Sequence, residues 1–347
     1  MKILAWIVTL FILVSFFLAS GCDSDHPEEY DSYQDLLDSE QTESDLETVY
    51  DFSSFDFENY YVQVDHLVIA YFEVQDGILG RVILPEIDSV RFADFEDNLD
   101  YTIEELAAAQ EQLYIADLIW EAVAGLIPDQ YLLQISFFEL FTDGYSAFLG
   151  SVEEVESASG FFIFSLDLVD MLDDSLNLNA ELLFETIIHE LGHIITLNTD
   201  QVAWVEKEDS NPVTYYLYEY DLDTSYDSYL NLFFQRFWRD IYPEWSDFYY
   251  RYGLQLEGEE DMPEEFEALL KGYLESFYEK YENHFVTRYA ATSPTEDIAE
   301  TFMFFIMHDQ PEGNLVRDHK VRFFYDFPEM VDVRNHARDY LKSIGWL

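Results

Sequence analysis

Apolar residues in "ELLFETIIHELGHIITL" (181–197) recur at three- and four-residue steps, the period of a helix with one buried face. Asn179 stands just ahead of it, where a side chain that accepts a backbone N–H is favoured. Earlier in the chain, "YYVQVDHLVIAYFEV" (60–74) is β-branched and aromatic and predicts a strand. "DYTIEELAAAQEQLYIADLIWEAVAGL" (100–126) has the helical period, with Thr102 and Glu105 spaced as a capping box and Gly125 at the expected exit. "YLLQISFFELF" (131–141) and "GFFIFSLDLV" (160–169) predict two more strands. Beyond residue 200 the pattern is helical and aromatic. "YLNLFFQRFWRDIYPEWSDFYYRYG" (229–253) fits a helix core better than a sugar-binding platform. "MPEEFEALLKGYLESFYEKYENHF" (262–285) predicts a long helix with Pro263 near its start, after a loop over 253–265. This order predicts an α+β fold with a mixed sheet, followed by a largely helical C-terminal half.

Composition sharpens that picture. At 347 residues, 49% of them apolar and 18% aromatic, the chain can bury a sizeable core and is no disordered polymer. It carries 16 Lys+Arg against 72 Asp+Glu, a formal charge of −56, with no Lys or Arg between Arg91 and Lys207. Such a surface repels phosphate backbones and anionic lipid headgroups, which excludes nucleic acid as a partner. Either solubility in a saline or extracellular setting or steering of basic peptides toward an acidic cleft accounts for the charge. The N-terminus "MKILAWIVTLFILVSFFLASGC" has Lys2, an apolar core too short for a membrane span, then small residues. Ala19-Ser20-Gly21-Cys22 resembles a bacterial lipobox, with Ala19 where Leu is commoner. Cys22 is the one cysteine in the chain, so intramolecular disulfides and thiolate zinc sites are excluded. Residues 1–22 are thus expected to be a lipoprotein signal peptide, 23–58 an acidic tether without Lys or Arg, and 59–347 the folded domain.

The candidate chemistry lies in the 181–197 helix. His189 and His193 are four residues apart and share a face, so both can aim a ring nitrogen at one metal ion. Glu190 lies about 100° further round, placed to act as a base beside that ion. Gly192 costs roughly 1 kcal/mol against Ala in a helix, which suits a close approach by another element. A third ligand by the H-E-x-x-H-x-x-G-x-x-H route is closed, since Thr196 and Thr199 stand at its Gly and His positions. The other common solution is a Glu on a later helix, and "RYAATSPTEDIAETFMFF" (288–305) offers one. Pro294 and Thr295 open a helix with Glu296, Asp297 and Glu300 in its first turns. Glu296 and Glu300 share a face, so one can bind metal while the other orients a ligand histidine. Spacing leaves the two nearly tied, and a purely dipole-stabilising acidic turn is the plainer alternative. His284 and His308 fit surface or supporting positions. His26 falls in the tether, and His66, His319 and His336 have no metal-binding spacing.

"YAATSPTEDIAETF" (289–302) looks like the third-ligand segment of gluzincin-type zincin peptidases related to the anthrax lethal factor catalytic domain. It also resembles that segment in zinc-binding metallopeptidase lipoproteins of Gram-negative bacteria, some linked to nutrient import. "KVRFFYDFPEMVDVRNHARDYL" (320–341) has the same flavour. The resemblance covers roughly 185–200 and 288–340 and is weak before residue 160. It implies a zincin-like fold and one zinc ion on His189, His193 and Glu296, with Glu300 bonded to a ligand histidine. It also implies Glu190 as the general base and Tyr289 beside the developing oxyanion. The interval from His193 to Glu296 exceeds that of lethal factor, implying a helical insertion at about 205–285. Zincins pair extended substrate with an edge strand above the cleft, and "GFFIFSLDLV" is expected to be that strand.

The expectation is a lipid-anchored zinc metallopeptidase at the cell envelope, facing the periplasm or the outside. Its substrates would be peptides or proteins, basic ones under the steering reading. The alternative is a non-catalytic metal-binding lipoprotein serving nutrient capture in an import complex. An intact Glu190 weighs against it, because a binder has no use for a base beside the metal.

Overall fold

Asp76 and Gly77 both adopt positive φ, 52° and 72°, the requirement of a tight two-residue hairpin turn. They join β1 (Leu67–Gln75) to β2 (Ile78–Ile83), with Gln75 paired to Ile78. The structure is a computed structural model that describes residues 66–85, 107, 110, 114–142, 149–155, 160–172, 177–198, 201–204, 222–252 and 264–347. The expected signal peptide with Cys22, the expected tether and the expected Thr102–Glu105 capping box therefore lie outside the described residues. So do the start of the 60–74 strand and the 253–263 part of the expected loop.

Three further strands, β3 (Ile135–Thr142), β4 (Gly150–Glu154) and β5 (Phe162–Asp167), complete a five-stranded mixed sheet of order β2-β1-β3-β5-β4. β3 runs parallel to β5, and the other pairs are antiparallel. Every residue of β3 and β5 is buried, as expected of interior strands covered on both faces. That corrects one expectation: 160–169 forms an interior strand, and the edge nearest the candidate site is β4. The strand expected over 131–141 also starts later, because Asp129–Leu132 forms a one-turn helix, α2.

Helix α1 (Tyr114–Leu126) packs on the sheet through Trp120, whose ring centroid lies 5.2 Å from that of Phe138 and whose indole N–H donates to the Gly77 carbonyl. α1 ends at Leu126 as expected, with Gly125 in its last turn. A Cβ there would overlap the Tyr340 ring of α9 (Pro328–Ser343), so this glycine serves helix–helix approach. The H-E-x-x-H helix α3 (Ala180–Leu197) starts as expected, with the Asn179 side chain accepting the Leu182 N–H.

The C-terminal half is mostly helical. A two-stranded ladder, β6 (Val202–Trp204) with β7 (Leu222–Thr224), precedes α4 (Tyr229–Phe237), α5 (Tyr242–Tyr252) and α6 (Glu264–Lys280). Then come α7 (Pro294–Met307), α8 (Val316–Phe323) and α9. Phe233, Phe234, Trp238 and Trp245 are buried, so the aromatic run forms core, as expected. Trp238 meets Trp245 edge-on at 6.0 Å between centroids and lies 5.5 Å from Phe285. Among the described residues, no helix is long and apolar enough to cross a membrane.

Candidate metal centre

Two helices distant in sequence meet at Gly192. A Cβ on that residue would stand 3.1 Å from the Cα of Ala299, so only glycine lets α3 and α7 pack this closely without a shift. The contact sets His189 and His193 opposite Glu296 and Glu300. Ser293 caps α7 by accepting the Glu296 N–H, and Pro294 opens its first turn.

His189 Nε2 lies 3.0 Å from His193 Nε2 and 3.1 Å from Glu296 Oε2, and His193 Nε2 lies 3.5 Å from the same oxygen. Four ligands placed 2.0–2.1 Å from a tetrahedral zinc stand about 3.3 Å apart, so this triangle has the size a zinc ion requires. The donor set is right as well. Nδ1 of His189 donates to Glu300 Oε1 at 2.8 Å, so Nε2 is the ring nitrogen that faces His193 and Glu296. Once the imidazoles give up their Nε2 protons, three lone pairs converge on one point, where a cation fits. His189, His193 and Glu296 thus form a possible metal-binding triad, and among the described residues no other such group occurs.

Electrostatics of the metal-free site agree. Burial opposes charge on His189, yet hydrogen bonds to Glu296 and Glu300 and the charge of Glu190 outweigh it, holding its pKa well above the ordinary value. Burial also works against ionisation of Glu296, but the two histidines prevail and its carboxyl sits well below the usual range. Glu190 is driven the other way. Burial raises its pKa, with His189 and His193 only partly offsetting that.

Structure separates the two glutamates that spacing left tied. Glu296 joins the triangle, while Glu300 binds His189 Nδ1 and receives a 2.6 Å hydrogen bond from the Thr287 hydroxyl. Tyr289 opens the short turn Tyr289–Ala291, its ring centroid 5.8 Å from that of His189. A cavity of about 410 Å³ brings His189, Glu190, Tyr289 and Glu300 together with Leu149 and Gly150 at the start of β4.

Both ends of α7 are fastened. Asp297, next to Glu296, pairs with Lys320 of α8 and accepts the Trp238 indole N–H at 2.6 Å, all fully buried. At the other end, Arg334 and Arg338 of α9 donate to the carbonyls of Ile306 and His308. His66, given no metal role from spacing, is bonded to buried Glu139 at 2.8 Å. Thr287, β4 and Glu185 were not singled out in the sequence. Only Glu185 had a local signal, lying four residues before His189 on the same helix face. Comparison with protein-family models, with characterised proteins and with solved structures finds no match.

Proposed function

We propose that the chain is a zinc-dependent metallopeptidase of zincin-like fold, anchored to the cell envelope by a lipid on Cys22. The observation that carries this reading is the His189–His193–Glu296 triangle, with buried Glu190 next to His189 in the chain and lining a cavity together with it. The two imidazoles and the Glu296 carboxylate would hold the ion. Bound zinc supplies Lewis acidity and acidifies a water molecule. Glu190 takes up a proton at its carboxylate and returns it to the leaving amine. Glu300 fixes the His189 tautomer through Nδ1. The Tyr289 hydroxyl would donate to the developing oxyanion. Among the described residues β4 is the sheet edge on the cavity side, and extended substrate backbone would run along it.

The test is Glu190→Gln in the zinc-loaded chain, assayed on a fluorogenic peptide library with zinc measured in parallel. Zinc content should hold while peptidase activity falls about 10²- to 10⁴-fold. Full activity in the variant would overturn the mechanism. Zinc binding by a wild-type chain that cleaves nothing would favour the non-catalytic lipoprotein. Incorporation of labelled fatty acid that disappears in Cys22→Ala tests the anchor.

A further inference from the structure

Glu185 lies one helical turn before His189 on α3 and lines the same cavity. It is half-buried, and its side chain has no hydrogen bond or ion pair with any described residue. Burial, then the neighbouring charges of Glu181 and Glu300, push its pKa up. A partly desolvated carboxylate with acidic neighbours lacks the cation that would stabilise it, and nothing described in the chain supplies one. Leu149, Leu182, Met303 and Phe304 give the cavity an apolar share of its lining. Apolar walls with a carboxylate suit a long aliphatic stem carrying a positive tip. The cavity, about 410 Å³, falls within the range of small-ligand pockets.

We propose that this cavity takes a lysine or arginine side chain of the substrate, with Glu185 pairing to its cationic end and the apolar walls covering its methylenes. The inference rests on the peptidase reading for the word substrate, and it gives that reading a specificity. It also gives the surplus of acidic residues a local purpose, since a negative field concentrates cationic peptides near the cleft.

Binding and cleavage separate the two claims. The probes are N-acetylated, C-amidated alanine pentapeptides with Lys, Arg, norleucine or Glu placed at each position in turn, so the side chain is the only cation. Calorimetry uses the zinc-loaded full chain carrying Glu190→Gln, which holds peptide without turnover. At one position Lys or Arg should bind about tenfold or more tightly than norleucine. Adding Glu185→Gln should abolish that preference, with retained zinc stoichiometry reporting an intact fold, and Glu185→Lys should favour the Glu peptide. Equal binding of Lys and norleucine, or a preference that survives Glu185→Gln, would overturn the inference. A preference lost in Glu185→Gln while the wild type hydrolyses none of these peptides would sink the peptidase reading and leave the pocket assignment standing. Cleavage without a basic preference would do the reverse.

Discussion

Replacing Lys320 by Met tests how α7 is held in place. The Lys320 ammonium and the Asp297 carboxylate are both fully buried, and the ammonium also lies 4.3 Å from the centroid of the Phe285 ring. Burial pushes Asp297 up to about 6 despite the opposing effect of Lys320, Trp238 and Thr301. Lys320→Met keeps the side chain's bulk and leaves the carboxylate without its cation. Breaking a buried pair in this way costs about 3–5 kcal/mol. At about 2 °C per kcal/mol for a chain of this size, Tm should fall by about 6–10 °C. The double variant Lys320→Met/Asp297→Asn retains an acceptor for the Trp238 N–H and should recover at least half of the loss. The sign with pH follows from the raised Asp297 value. A carboxyl whose folded pKa exceeds its unfolded one adds stability at acid pH and loses it as pH rises through the folded value. Without Lys320 that folded value moves higher still, so the deficit should be larger at pH 8 than at pH 5. Differential scanning calorimetry at both pH values, with the three variants compared, decides it. A Tm loss under about 2 °C, no pH dependence, or a double variant no better than the single one would refute the reasoning.

Glu300→Ala should weaken zinc binding about 10- to 100-fold without removing the ion, and Thr287→Val, which frees one Glu300 oxygen, should weaken it less. Chelator competition measures both, and a larger loss in Glu300→Ala than in Glu296→Ala would exchange the two roles. His189, with its pKa raised in the metal-free site, favours the folded chain below the unfolded value and loses that contribution as pH rises through the folded one. Zinc displaces this proton, so the thermal shift on adding zinc should be larger at pH 8 than at pH 6. Gly192→Ala gains about 1 kcal/mol of helix propensity against about 1–3 kcal/mol for overpacking at Ala299, so net loss of stability and weaker zinc binding are expected from melting and zinc titration.

Much of the site was legible because its pieces are local. The i,i+4 histidines, the Asn179 cap and the Pro294-Thr295 start of α7 are all set by neighbours within one helical turn, though the Ser293 cap was not read. The choice between Glu296 and Glu300 was not local. It depends on which carboxylate faces Nε2 and which Nδ1, an angle fixed by the closeness of two helices at Gly192 and Ala299. The edge strand was misplaced for a readable reason: "FIFSLD" is buried throughout, the mark of an interior strand, whereas the five-residue "GSVEE" of β4 lacks the apolar content that signals a strand. The Asp76-Gly77 turn carried a strong hairpin signal that the strand reading of 60–74 did not use. Gly125 marked the helix end, but its second role, close approach to Tyr340, was hidden because that contact lies far along the chain.

Zinc content after exhaustive dialysis of the full chain, with His189→Ala, His193→Ala and Glu296→Ala beside the wild type, tests the triad most directly. The account requires one ion per wild-type chain and little or none in each of the three variants. Full zinc retention in Glu296→Ala, or a wild type that holds no zinc, would contradict it.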